Sequence, residues 1–198
     1  SNPGLESEKA ESWDVGFDQK LWRNRVRFGF TYFENDFEDL IQTACNTVTG
    51  ATICQPENVG RARTNGAEVY GELEPLDWLL LYANYTYTNT EDGLSRRQLL
   101  GFPHHVWNTG ITLTPLERLS LFVQAHTSSS YKSFAEKNPG YYRLDIGGTY
   151  RLLGRTAFME RLDFTARVEN VTDNTYTESP GFPARGFTAL VGLRSTFK

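Results

Sequence analysis

Residues 142–151 read Tyr142-Arg143-Leu144-Asp145-Ile146-Gly147-Gly148-Thr149-Tyr150-Arg151. In an extended chain successive side chains point to opposite faces. Tyr142, Leu144, Ile146, Gly148 and Tyr150 then share one side, and Arg143, Asp145, Gly147, Thr149 and Arg151 share the other. At a helical period the charges would fall on every face. The stretch is a strand with one greasy side and one ionised side.

Eight further stretches repeat this pattern. Trp13, Val15 and Phe17 alternate with Asp14, Gly16 and Asp18. Val26 through Tyr32, Ala67 through Leu73 and Leu79 through Tyr87 do the same, as do Trp107 through Leu113 and Leu119 through Ala125. Leu162 through Val168 and Phe187 through Leu193 complete nine strands. The polar side gathers Asp14, Arg25, Arg27, Glu68, Glu72, Arg143, Asp145, Arg151, Asp163, Arg167, Glu169 and Arg194, a ladder of both signs. Facing strands can join such residues into a hydrogen-bonded network against which another domain docks. Plain cross-strand ion pairing is the alternative.

Soluble sandwiches alternate too, so the connections decide. Lys20–Asn24, Pro75–Asp77, Pro115–Arg118 and Leu153–Glu160 are short; Gln42–Arg61, Thr90–Gly101, Ser128–Pro139 and Thr172–Ala184 are long. Outer-membrane barrels have brief periplasmic turns and longer extracellular loops, with aromatic girdles at both interfaces. Tyr32, Tyr85, Tyr87, Tyr142 and Phe197 fall near strand ends. The expectation is an all-β, transmembrane antiparallel β-barrel wall, its C-terminus periplasmic and its long loops extracellular.

Composition agrees. Of 198 residues, 14% are aromatic and only one is Met, which disfavours a helical bundle. A net charge of −4 provides no basic footprint for nucleic acid. No apolar run reaches the roughly 18 residues of a membrane helix, which leaves closed barrels as the spanning structure. No nucleophile elbow, zinc signature or Gly-rich phosphate loop occurs, so neither an enzyme nor a cofactor is expected. The adjacent His104 and His105 point to opposite faces and cannot readily share an ion. His126 is isolated, inward and expected to be hydrogen-bonded. Cys45 and Cys54 enclose a short polar stretch; a disulfide made in an oxidising compartment is favoured over two free thiols, and its ring would add about 2.7 kcal/mol.

Four segments carry a family resemblance. Asn2-Pro3-Gly4-Leu5-Glu6-Ser7-Glu8-Lys9 with Trp13-Asp14-Val15-Gly16-Phe17 is the first, and Asn58 through Val69, with Gly60, Gly66 and Glu68, is the second. Val168-Glu169-Asn170-Val171-Thr172-Asp173-Asn174-Thr175-Tyr176 is the third, and Gly181 through Phe197 closes the chain. In this order they resemble motifs of TonB-dependent outer-membrane receptors, most nearly the vitamin B12 and siderophore branch. Phe187 stands where the family usually has Arg, Thr172 where it has Phe, and Lys198 follows the closing aromatic.

The resemblance implies nine C-terminal strands of a barrel of about 22, with a plug domain and the earlier strands on the same or a separate chain. It implies import of a chelated metal or corrinoid-type ligand, energised by TonB acting through the plug. Lipid and lipopolysaccharide would surround the wall. Ligand contacts are expected from outer-loop Arg96, Arg97, Tyr131, Lys132, Phe134 and Phe182, since exposed aromatics and arginines stack on or pair with an anionic chelate. The rival readings are a structural barrel subunit that no longer imports, and a soluble extracellular sandwich.

Overall fold

The computed structural model describes residues 2–48, 51–58, 60–133, 137–179 and 181–197, with the side chains of 42–48, 51–55 and 179 outside that description. Its strands are β1 (Lys9–Leu21), β2 (Val26–Glu38), β3 (Ile41–Val48), β4 (Ala51–Asn58), β5 (Ala62–Leu76), β6 (Leu79–Asp92), β7 (His105–Leu116) and β8 (Leu119–Ser128). They continue as β9 (Tyr131–Lys132), β10 (Lys137–Asn138), β11 (Tyr141–Leu153), β12 (Met159–Glu169), β13 (Thr177–Ser179), β14 (Phe182–Pro183) and β15 (Thr188–Phe197). One antiparallel sheet of nine strands runs β1-β2-β5-β6-β7-β8-β11-β12-β15. The remaining strands make three hairpins, β3–β4, β9–β10 and β13–β14.

The nine wall strands are those the alternation predicts, and several run longer. β1 begins before Trp13 because Lys9 through Ser12 pair with Glu38 through Asn35. The ladder satisfies backbone groups whether or not the side chains alternate. The same reason corrects the long connections, which the sequence leaves as loops. Ile41 through Val48 pair residue by residue with Asn58 through Ala51. Polar residues such as Gln42, Thr43, Asn46 and Thr47 occupy both parities there, so no period-two signal marks the hairpin.

Register reveals how the wall leans. Directly opposed residues trace one line across the sheet: Leu21, Val26, Leu73, Leu81, Ile111, Val123, Ile146, Val168 and Ala189. Every one is apolar. Leu21 ends β1 at the short-turn end, whereas Ala189 lies one residue into β15 at the long-loop end. The hydrogen-bonding direction therefore climbs relative to the strand ends. This stagger is the shear that strands need when they tilt against a barrel axis.

The two faces invert the usual order of a water-soluble protein. Large apolar side chains stand exposed across the sheet, among them Val15, Phe17, Trp107, Ile111, Val123, Phe164 and Val191. Aromatic pairs cluster toward the long-loop end, with ring centroids 5.4 Å apart for Trp13 and Tyr32 and 4.1 Å for Tyr85 and Trp107. Trp22 and Trp78 mark the short-turn end. Conversely, the least exposed residues described include Asn170 at 1% and Asp145 and Asp163 at 2%. A sandwich would bury its apolar face against a second sheet. Here that face stays uncovered, as a lipid-facing surface must. On the polar face aromatic rings lie over glycines of the next strand. A Cβ at Gly66 would overlap the Phe33 ring and the Tyr87 carbonyl oxygen, so only glycine fits.

Candidate functional site

The polar face of β11, β12 and β15 holds two buried carboxylates, each wrapped by guanidinium groups. Asp145 on β11 accepts from Arg167 Nη2 at 2.7 Å and from the Asn170 backbone N–H at 3.0 Å, with Arg143 Nε at 3.2 Å. Arg167 also lies 3.2 Å from Glu169, and Arg143 lies 3.9 Å from Glu178. Asp163 on β12 pairs with Arg161 at 2.7 Å and with Arg194 at 3.3 Å. Register brings these groups together, because Asp163 stands directly opposite both Arg194 and Arg151. An ionised carboxylate withdrawn from water is strongly unfavourable without such partners.

A third cluster sits nearer the first edge. Arg27 reaches Glu72 at 3.0 Å and Glu74 at 3.3 Å. Those contacts offset the like charge of Lys20, which stands directly opposite Arg27. Arg25 donates to the Glu74 carbonyl at 3.2 Å and pairs with Asp77. Asp14 and Glu68 stand apart, opposite Phe33 and between Thr31 and Thr86. Arg151 Nε is buried without a hydrogen-bond partner among the described residues. Arg161 and Glu74 extend the ladder beyond the sequence prediction. Continuing the alternation of β12 one residue toward its start would have found Arg161.

The loop after β12 is a built structure rather than a slack connection. Asn170 adopts a φ of +51°, a left-handed conformation that asparagine tolerates better than most residues. Its Oδ1 accepts from Asn174 N–H at 3.0 Å, and its Nδ2 donates to the carbonyls of Asn174 at 2.9 Å and Arg185 at 3.2 Å. Asp173 accepts from Phe187 N–H at 2.8 Å, tying this loop to the start of β15. Tyr176 is buried and stacks on Tyr141 at 4.3 Å. His126, in register with Arg143 on the polar face, sits 2.7 Å from Asn108 Oδ1 and 3.2 Å from the Tyr141 hydroxyl. The third resemblance motif thus clamps the charge cluster from above through Asn170.

The predicted loop contacts occupy different settings. Phe182 is 73% exposed, and Lys132 is exposed on β9. Arg96 pairs with Glu91 at 2.6 Å. Arg97 takes part through its carbonyl, which accepts from Asp92 N–H at 2.8 Å. Tyr131, expected on the exposed loop surface, is instead buried: its hydroxyl donates to the Glu178 carbonyl at 2.8 Å and accepts from Asn138 at 3.1 Å. It pins the β9–β10 hairpin to β13, a long-range contact that local sequence cannot show. Phe134 lies outside the described residues. The backbone register sets Cys45 directly opposite Cys54, while their side chains lie outside the description. His104 and His105 are separately engaged, with Nδ1 of His104 2.9 Å from the Thr88 carbonyl and Nδ1 of His105 2.7 Å from the Tyr85 hydroxyl.

The family described as TonB dependent receptor-like, beta-barrel, matches residues 1–171. An iron-regulated outer membrane virulence protein of Vibrio cholerae O1 (O395) is 32% identical over 76% of this chain and 26% of its own length. The chain thus spans about a quarter of that relative. Among solved structures, a ferric enterobactin receptor of Pseudomonas aeruginosa (a Q482A mutant bound to enterobactin) aligns with a TM-score of 0.78 at 22% identity, covering 97% of this chain and 32% of that one. The copper transporter OprC aligns with a TM-score of 0.79 at 19% identity, covering 96% and 31%. At these identities the structures establish a shared fold, the tilted wall of a barrel.

Proposed function

Because this chain belongs to the TonB-dependent receptor β-barrel family, we propose that it forms the C-terminal wall of an outer-membrane importer for a chelated metal of the siderophore type or a corrinoid-type ligand. The family is one of receptors and transporters, not enzymes. In this reading a plug fills the lumen, TonB pulls on the plug from the periplasm, and the long-loop end faces outward to meet the ligand. Short turns and the C-terminus then lie in the periplasm.

One observation carries the reading. A continuous apolar face backs a polar face whose carboxylates and guanidinium groups are paired and partly buried. A wall lined this way on one side only encloses something polar, and a mixed-sign ladder suits a docked domain with hydrogen-bonding groups of its own. The relative named for iron regulation and the neighbour titled as a copper transporter favour a metal, and the neighbour titled as a ferric enterobactin receptor favours a chelated one. The exposed Phe182 and Lys132 provide an aromatic and a cation at the outer end.

The test is uptake by cells carrying the whole receptor, supplied with radio-iron as ferric catecholate or hydroxamate chelates, or with a labelled corrinoid. The expected result is saturable uptake of one class, abolished by a protonophore. Saturable binding with no energy-dependent uptake would support the structural subunit instead. Absence of both binding and uptake for every class would overturn the proposal.

A further inference from the structure

The largest reserve of unspent charge lies at the short-turn end of the polar face, in a cavity of about 650 Å³. Four arginines line it: Arg118 from the turn before β8, Arg151 from β11, Arg161 from β12 and Arg194 from β15. Three acids stand among them, Asp163, Glu117 and Asp77. Asp77 is already paired with Arg25, outside the cavity. Asp163 is taken by Arg161 and Arg194. Among the described residues that line the cavity, only the exposed Glu117 remains to face Arg118 and Arg151.

Arg151 shows the deficit most plainly. It stands directly opposite Asp163 in the ladder, yet it makes no ion pair among the described residues, and its Nε is buried without a hydrogen-bond partner. A guanidinium cannot shed its charge by losing a proton. Its planar fork matches a carboxylate, which accepts two parallel hydrogen bonds.

We infer that this cavity receives the carboxylate of an Asp or Glu from the polypeptide that fills the barrel, and that the contact seats that polypeptide at the short-turn end. The inference rests on the reading of this chain as a wall around a plug. The occupant is protein because the chain covers only 26% of its Vibrio relative, so most of such a protein lies beyond these residues. The cavity also opens on the polar face, since Arg151, Asp163, Arg194 and Thr149 share that parity. Lipid does not reach it.

The experiment uses the whole receptor, purified from outer membranes and carrying Arg151→Lys. A water-soluble carbodiimide joins an amine to a carboxylate only where the two touch, and mass spectrometry of the digest identifies the joined peptides. The expected product links position 151 to an acid outside residues 1–198. Arg155→Lys, in the turn outside the cavity, gives no such product. Coupling only to Asp163, Glu117 or Asp77 overturns the inference, as does the same product from Arg155→Lys. A site for a free anion such as inorganic phosphate gives no joined peptide and also overturns it. Failure of the importer reading appears elsewhere, as neither binding nor uptake of any of the ligand classes by the unaltered receptor.

Discussion

Asp145 concentrates the chemistry of the polar face in one carboxylate. Arg167, Arg143 and the Asn170 N–H all converge on it. Replacing it with alanine takes the nearest carboxylate from two guanidinium groups, leaving them Glu169 and Glu178, and strands one backbone donor. Because both arginines still reach water, the expected destabilisation is on the order of 2–4 kcal/mol, less than for a fully buried pair. Urea unfolding of the whole receptor in lipid vesicles measures it. Asp145→Asn should fall between, since it keeps an acceptor for the Asn170 N–H and loses the charge. At the long-loop end, the facing backbones of Cys45 and Cys54 lead us to expect a disulfide. A non-reducing gel of a peptide spanning both cysteines, before and after reductant, checks this. Cys45→Ser should then lower stability by about 2–3 kcal/mol.

The strand explains why neighbouring residues answer so differently to the same change. Val123 lies midway along the apolar line, and Gln124 lies beside it on the polar face. Val123→Arg places a charge against lipid and should lose about 2–4 kcal/mol of folding free energy in vesicles. Gln124→Arg puts the same group next to Asp145 and should lose far less. Equal losses would contradict the assignment of faces. Packing between strands sets a separate limit at Gly66. Gly66→Val must displace the Phe33 ring and press on the Tyr87 carbonyl. Overpacking of this kind weakens a fold by roughly 1–3 kcal/mol, which the same unfolding titration reads. Between strands, the hairpins β9–β10 and β13–β14 are joined through Tyr131 and Asn138, whose Nδ2 donates to the Thr177 carbonyl at 2.9 Å. These two hairpins of the long-loop end therefore brace each other.

At the scale of the whole sheet, β1 and β15 are its edges. Among the described residues each presents unpaired backbone groups, which lipid cannot satisfy. Residues 1–198 expressed alone should consequently gain no stable protease protection when mixed with vesicles, whereas the same segment within the whole receptor is protected. Full protection of the isolated segment would show that these edges find partners by themselves, through closure or through a second copy. The stagger from Leu21 to Ala189 bears on the same point, because it fixes the slope at which any further strand must join.

Alternation determined the sidedness of this protein, and with the sorting of short and long connections it determined the wall. Both are local properties: a period of two needs only neighbouring residues to be read, and a turn is as long as its polar spacer. The motif around Asn170 was visible as a motif, but its purpose was not. That the Asn170 backbone meets Asp145, that Asp163 is claimed by Arg161 and Arg194 while Arg151 goes unmatched, and that Tyr131 is buried all depend on register and on loops folding back across the sheet. Those contacts join residues tens of positions apart. Only the tertiary structure brings them within reach, because a side chain's partner is chosen by the strand beside it and not by the residues before and after it.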